Sequence, residues 1–367
     1  MVYKVIGLMS GSSLDGLDIA FVHLTETSGK WTYEFIETEC YSYTTEMTDR
    51  LKSAVDLGAR DYLILHSDYG HYLGQQVNKF TEDRGLHHQV AMIASHGHTT
   101  FHEPTNKITG QLGDGSAIAA ETRLPVISDL RSLDVALGGQ GAPIVPMGEN
   151  LLFEEYSFLL NLGGIANISC KTSDGYIAFD ICPANAILNL LAMKAGKEYD
   201  EGGLLAYGGE VSLALLEELN SIPFYGEGYP KSLANSFGIE IVLPIIEKYK
   251  LNTPDALRTY VEHISMQIRN AILKTRDLHQ TIFPEYKMLV TGGGAFNTFL
   301  MKRISNVLQE DNIAIDIPDG MVVKYKEALI MALLGVLRWR EEYTVLSSVT
   351  GASKNSIGGA LWLGTDA

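Results

Sequence analysis

Gly7-Leu8-Met9-Ser10-Gly11-Ser12-Ser13-Leu14-Asp15-Gly16-Leu17-Asp18 is the stretch on which the reading of the fold turns. Tyr3–Ile6 before it and Ile19–Leu24 after it are short apolar runs of strand type. The Gly, Ser and Asp between them predict a β-hairpin with an enlarged tip. Small residues let backbone N–H groups turn into the concavity and make a nest for phosphate oxygens. The hydroxyls of Ser10, Ser12 and Ser13 add donors. Asp15 and Asp18 repel a bare phosphate, and they make sense where Mg²⁺ and its waters stand between carboxylate and phosphate. The same residue types build ordinary surface turns, and the stretch alone does not choose between the two readings.

The 367 residues exceed one ordinary core, so two domains are expected. A chain 46% hydrophobic and 20% charged is globular. Its net charge, 28 − 44 = −16, argues against nucleic acid or an anionic membrane as partner. An anionic ligand therefore needs a local, glycine-rich and Mg²⁺-assisted seat. Cys40, Cys170 and Cys182 lack metal-type spacing and read as reduced thiols of a cytosol. One Lys before a strand-like run is no export signal, and no run approaches the ~18 apolar residues of a membrane span. A cytoplasmic protein is expected, and a homodimer, since cyclic dimers are the commonest assemblies.

Outward from the hairpin, residues 31–43 predict a third strand, and 45–57 and 59–84 predict helices. Val90–Ala94 reads as a buried strand ending in a polar loop, Ser95 to Thr100. Ligands bind at such strand ends in α/β sheets. His96, His98 and His102 crowd this loop, but no Cys or Glu motif nearby completes a zinc site. Pro125–Ser128 is another strand, and the composition shift at residues 138–143 marks a hinge. The second half then repeats the opening: strand 156–160, a turn at Asn161–Gly164, strand 165–169. Asp180 follows strand 176–179. A helix is expected over 183–195 with Pro183 near its first position. Helices are also read at 210–220, 237–250, 254–276, 295–308 and 324–342. Strand 288–290 runs into Gly292, Gly293 and Gly294 ahead of a helix N-terminus, a third anion or nucleotide seat. Ala360–Leu363 closes the chain as a strand.

Three glycine-rich seats over two similar halves suggest an actin-like ATPase fold, that of sugar kinases. More specifically, MSGSSLDGLD, SHGHT, GQLGDG, DLRSLDVALGGQGAPIVP, NLGGIANIS, FDICPAN, PKS, VTGGGAFN and KEALIMALLG occur in an order that closely resembles the 1,6-anhydro-N-acetylmuramic acid kinases, from residue 4 to about 363. The resemblance implies an α/β fold of two actin-like (ribonuclease H-like) domains around a central cleft. The expected division is 1–130 plus 348–367 against 131–347. It implies an ATP- and Mg²⁺-dependent kinase of peptidoglycan recycling. Such enzymes open the 1,6-anhydro ring of 1,6-anhydro-N-acetylmuramic acid with water and phosphorylate O6, giving N-acetylmuramic acid 6-phosphate. By resemblance Gly11, Ser12, Ser13, Leu14, Asp15, Gly16, Leu17 and Asp18 bind the ATP phosphates, with Asp15 and Asp18 toward the metal. Gly163, Gly164 and Asn167 form a second phosphate hairpin, and Gly292, Gly293 and Gly294 flank the adenosine. Asp180 matches the catalytic base, and His96, Arg131, Asp134 and Glu327 match the sugar site.

The residues have plainer readings as well. Asp180 could cap the following helix. Arg131 has a planar fork suited to a lactyl carboxylate, or it pairs with Asp129 or Asp134 at the surface. Glu327 beside Lys324 and Lys326 fits a solvated helix face. The chain also departs from the family where D-T-G-P-G-N becomes Asp180-Ile181-Cys182-Pro183-Ala184-Asn185. K-S-T-G-R-E likewise becomes Lys231-Ser232-Leu233-Ala234-Asn235-Ser236. These changes leave open a kinase for another anhydro- or amino-sugar, and a non-catalytic actin-like ATPase or sugar sensor is the alternative from another class. A glycoside hydrolase would need two carboxylates across the bond and leaves the glycine seats unexplained.

Overall fold

The computed structural model describes residues 1–11, 14–172, 175–234, 236–276 and 286–364, so Ser12, Ser13 and Asn235 lie outside the described residues. Its strands are β1 (Val2–Ser10), β2 (Leu17–Thr27), β3 (Lys30–Tyr41), β4 (Met92–Glu103), β5 (Ile108–Leu112), β6 (Val126–Ser128), β7 (Phe158–Leu162), β8 (Ile165–Thr172), β9 (Gly175–Pro183), β10 (Tyr286–Thr291), β11 (Ile313–Asp316) and β12 (Ala360–Trp362). The chain divides into two compact units, residues 1–154 with 325–367, and residues 155–324.

In the first unit the sheet order is β12-β6-β4-β1-β2-β3, with β5 paired to β4. β1, β2 and β3 form an antiparallel meander, and β4 and β6 run parallel to β1 and β4. In the second unit the order is β11-β10-β7-β8-β9. There β7, β8 and β9 are the meander and β10 and β11 the parallel pair. With the added antiparallel strands β5 and β12 set aside, both sheets read 3-2-1-4-5 with only the second strand reversed. This is the duplication that the two glycine hairpins announce, and it is the ribonuclease H-like order. Parallel partners need helical crossovers. These are the helices Ala59–Asp83 and Gly115–Thr122 in the first unit, and Thr253–Arg276 and Thr298–Gln309 in the second. Asp114 and Asn297 start two of them by accepting from Ser116 N at 2.8 Å and Leu300 N at 3.0 Å.

Each unit has its own core. Ile6, Leu8, Phe21, Tyr69, Leu73 and Phe80 pack in the first, and Leu160, Ile168, Tyr260, Ile264, Val290 and Leu300 in the second. Residues 131–154 and 325–347 belong to the first unit rather than the second, contrary to the expected division. The helix Gly320–Trp339 explains why. A Cβ at Gly7 of β1 would strike the carbonyl of Ala328, and one on Gly335 would lie 2.6 Å from Ala94 Cβ. Only glycine at these points lets helix and sheet approach so closely. The glycines at 138–141 are held within the first unit and are no boundary.

Three further differences have simple causes. Ser95–Thr100 is strand, not loop, because β5 pairs with it, Leu112 opposite His98. Pro183 ends β9, and the helix begins at Asn185 with Ala184 as its N-cap, so Asp180 caps nothing. β11, a short strand of alternating burial, was not foreseen. Among the described residues no helix is long and apolar enough to cross a membrane.

Candidate active site

In the first unit β1 and β2 pair up to Ser10 and Leu17, with Gly11, Leu14, Asp15 and Gly16 the described residues between them. Asp18 lies opposite Cys40 of β3 and accepts a hydrogen bond from its thiol. Burial pushes the Asp18 carboxyl up to about 6, against that hydrogen bond and helped by Asp15 and Glu327. Burial and the same carboxylate push the Cys40 thiol up to about 12. A half-desolvated carboxylate in the field of two others is a place that a cation would relieve. Among the described residues no three His, Cys, Asp or Glu side chains stand close enough to ligate a metal directly. Carboxylate oxygens are donors of the hard kind that Mg²⁺ takes.

Arg131, in the same unit, is tied down. Its Nε and Nη2 donate to His96 Nε2 at 3.0 and 2.8 Å, and Nη1 donates to Gly141 O at 2.5 Å. His96 Nδ1 contacts Gly97 O at 2.8 Å. A carbonyl only accepts, so Nδ1 carries the proton and Nε2 is the acceptor. Burial, and then the Arg131 charge, push His96 down to about 3. With both nitrogens engaged, His96 orients Arg131 and has none left for a ligand. Asp134, buried, accepts from Gly141 N at 2.8 Å and from Thr350 Oγ1 at 2.7 Å, closing the loop beneath Arg131. Arg131 is no surface ion pair.

Glu327 is not on a solvated face either. Its neighbour Lys326 is 4% exposed and bonds Glu149, itself 4% exposed, at 2.7 Å. Burial pushes the Glu327 carboxyl up, while Lys326 and Arg131 pull it down.

In the second unit the Asn161–Gly164 turn joins β7 to β8. The N–H groups of Ala184 and Ala186 donate to Gly164 O at 2.7 and 3.2 Å, and Asn185 N donates to Gly163 O at 3.1 Å. The hairpin carbonyls thus face the start of the helix Asn185–Met193. Across each trans peptide the N–H of Gly164 and of Ile165 points the other way. A Cβ on Gly163 would meet nothing nearer than 3.5 Å, on Gly164 nothing nearer than 3.8 Å, on Gly293 nothing nearer than 3.7 Å. The fold would tolerate side chains there, so an approaching ligand is the better reason for glycine. Gly292 differs: its φ is 83° and a Cβ would crowd Asn161 and Leu162. Asn167 lies in β8, in register with Asp180 of β9.

Gly293 and Gly294 open onto a cavity of about 530 Å³. Its walls include Asn185, Asn189, Tyr199, Glu201, Phe296 and Lys324. The size and the mixture of aromatic and polar walls suit a nucleoside. Of these residues the sequence pointed to the glycines alone. The 199–202 stretch reads as bare loop, and only folding carries it beside Gly293.

Asp180 Oδ2 accepts from Leu233 N at 2.8 Å and from Ser232 Oγ at 3.2 Å, so the Lys231–Leu233 segment fixes the carboxylate. Burial still pushes it up, against Leu233, Ser232 and Lys231. Ile181, Cys182 and Ala184, where the chain departs from the resembled motif, are all buried in the core. Burial also pushes the Cys182 thiol up, away from the thiolate form.

A duplicated ribonuclease H-like architecture with a glycine hairpin on each sheet, a nucleoside-sized cavity and a fixed, partly desolvated carboxylate defines a phosphotransferase of the sugar-kinase class. The sequence pattern of one such family, anhydro-N-acetylmuramic acid kinase, matches residues 3–364, and the chain belongs to that family. Curated anhydro-N-acetylmuramic acid kinases resemble it end to end. The Francisella tularensis subsp. novicida protein is 33% identical, with 97% of each chain covered. The Mannheimia succiniciproducens protein is 33% identical over 96% of this chain and 97% of its own. Among solved structures, the Clostridium difficile activator of 2-hydroxyisocaproyl-CoA dehydratase with bound ADPNP aligns at 15% identity and a TM-score of 0.45, covering 92% of this chain and 96% of that one.

Proposed function

We propose that the chain is an ATP- and Mg²⁺-dependent kinase that opens 1,6-anhydro-N-acetylmuramic acid with water and phosphorylates O6. The observation that carries this reading is Asp180, whose carboxylate is fixed through Oδ2 by Leu233 and Ser232 and raised by burial. A carboxylate so held is a base of improved strength with little freedom to turn. It takes a proton from water as the water oxygen bonds C1. The C1–O6 bond breaks, O6 takes the γ-phosphoryl group, and ADP departs. Phosphoryl transfer itself needs positioning and charge neutralisation. Asp15 and Asp18 would hold Mg²⁺, and when bound it would supply charge neutralisation on the phosphates.

The Gly11–Asp18 and Gly163–Gly164–Asn167 hairpins are assigned to phosphates, and the cavity beside Gly292–Gly294 to the nucleoside. Arg131 is assigned to the lactyl carboxylate, with His96 and Asp134 holding it in place, and Glu327 to the sugar. The departures at 181–184 do not redirect the substrate in this reading, because their side chains pack inward. The enzyme is proposed to work in the cytoplasm as a homodimer, an assembly that light scattering can check.

The test is ADP release by purified protein with Mg²⁺-ATP, with and without 1,6-anhydro-N-acetylmuramic acid, and the product mass. Sugar-dependent release, with a product heavier by one water and one phosphoryl group, is expected. Bound ATP with no stimulation by this sugar would overturn the substrate assignment.

A further inference from the structure

One buried chain of polar groups is left unused by this mechanism. β1 and β4 run parallel with Ser10 in register with His98, which sets the imidazole beside the first residue before the hairpin tip. Ser10 Oγ and His98 Nδ1 are 3.2 Å apart. Tyr43 Oη donates to Ser10 Oγ at 2.8 Å, and Tyr43 Oη and Tyr69 Oη are 2.6 Å apart. Tyr69 is 0% exposed, Ser10 3% and His98 6%.

Counting protons gives this chain a direction. Each hydroxyl has one proton to donate. Bonds running from His98 toward Tyr69 would have Ser10 donate to Tyr43, against the geometry of that link, in which Tyr43 Oη donates to Ser10 Oγ. Run the other way, Tyr69 donates to Tyr43, Tyr43 to Ser10 and Ser10 to His98 Nδ1, and every proton is satisfied. His98 Nδ1 is then bare and its proton sits on Nε2. That nitrogen has no partner among the described residues, and it is not among the side-chain atoms sealed from solvent. Burial also pushes the His98 imidazole down, toward the neutral form.

We propose that His98 is a hydrogen-bond donor to a phosphoryl oxygen of the nucleotide, its Nε2–H presented by a one-way hydroxyl chain from Tyr69 through Tyr43 and Ser10. The proposal rests on the kinase reading for its ligand and adds a residue to it. A neutral donor directs a hydrogen bond at the phosphate end of β1 while bringing no charge of its own. Tyr43 and Tyr69 are then positioning residues that act through Ser10.

The test uses the full chain labelled with ¹⁵N-histidine, in which long-range ¹H–¹⁵N correlations tell the two tautomers apart. His98 is expected as the Nε2–H tautomer at neutral pH, and its resonances are expected to move when Mg²⁺-ATP is titrated in. Tyr43→Phe should erase the tautomer preference while circular dichroism stays unchanged. His98→Gln places an amide N–H near the Nε2 position, whereas His98→Asn places one near Nδ1. Calorimetry should show ATP affinity about tenfold weaker in the Asn variant and mostly restored in the Gln variant. An Nδ1–H tautomer, binding heat with His98 unmoved, no Mg²⁺-ATP binding, or equal losses in both variants would each overturn the proposal. If His98 responds to Mg²⁺-ATP but the anhydro-sugar stimulates no ADP release, the sugar assignment fails and this one stands.

Discussion

Arg131 aims two of its N–H groups at a single atom, Nε2 of His96, at 3.0 and 2.8 Å. His96 passes its own proton to Gly97 O, so the ring is locked between backbone and guanidinium. Replacing His96 by Phe leaves buried guanidinium N–H groups without an acceptor, at about 1–3 kcal/mol. The fork should then lose its fixed direction. KM for the sugar is expected to rise about tenfold or more while KM for ATP changes less than about twofold. His96→Gln, which can offer an acceptor near Nε2, should recover much of the loss. Equal rises in both KM values would show that the pair only holds the fold together.

Two buried histidines give stability a pH signature. Burial, joined in the case of His96 by the Arg131 charge, pushes His96 and His263 down to about 3. The unfolded chain takes up protons near pH 6.5, where the folded chain does not. Stability from these groups is therefore complete above about 6.5 and is lost as pH falls toward 3. At pH 5 the loss is about 2 kcal/mol per histidine. The raised carboxyls of Asp18, Asp180 and Glu327 act with the opposite sign, since they bind protons more readily folded than unfolded. The clean measurement is a difference. Between pH 7 and 5, His263→Gln should lose about 2 kcal/mol less than the parent in urea melts, and identical losses would mean that His263 is protonated when folded.

How far the sequence could see follows from what each residue needs. Apolar runs around glycine turns specify hairpins locally, so the meanders of both sheets and the glycine turns that begin at Gly11, Gly163 and Gly292 were legible. The Ser95–Thr100 segment was not, because its strand character comes from β5, which satisfies its backbone. Lys326 is charged by any composition rule, and Glu149, far away in sequence, is the ion that pairs with it in the interior. The cavity wall at 199–202 and the Tyr69–Tyr43–Ser10–His98 chain are likewise products of long-range packing, which no local pattern encodes. That the polar atoms of His96 and Asp134 are all engaged inside the protein was not visible either.

Asp180→Asn keeps the shape and the bonds to Leu233 and Ser232 within reach but cannot take a proton. Turnover should fall by a factor of about 10² to 10⁴, the usual share of a general base. Mg²⁺-ATP affinity should stay within about twofold. In the parent enzyme kcat should fall as pH drops through the Asp180 pKa, with a midpoint above the ordinary ~4 because burial raises it. Comparable turnover in the variant would remove Asp180 from the mechanism.

Chelating Mg²⁺ should weaken ATP binding by calorimetry, since the phosphates would then meet Asp15 and Asp18 unscreened. Asp18→Asn should blunt that metal dependence. It removes one of the charges the metal answers, and the thiol of Cys40 can still bond the amide oxygen. ATP affinity indifferent to both changes would sink the metal role given to these carboxylates.

The Glu149–Lys326 pair tests whether the helix carrying Glu327 is fixed by charge. At 2.7 Å, with side chains 6% and 5% exposed, neither ion has water to fall back on. Glu149→Gln leaves a buried ammonium without its counter-charge, and such losses run to about 3–5 kcal/mol. A drop of that size should appear in urea melts. Replacing both by apolar groups of similar size, Glu149→Leu with Lys326→Met, removes the stranded charge and should return most of the stability. Lys326 also lowers the Glu327 carboxyl, while Glu149 raises it. The double variant therefore separates two roles. Restored stability with restored kcat means the pair serves the fold alone. Restored stability with kcat still depressed means the lysine charge tunes Glu327. A single Glu149→Gln variant as stable as the parent would mean that Lys326 reaches water after all.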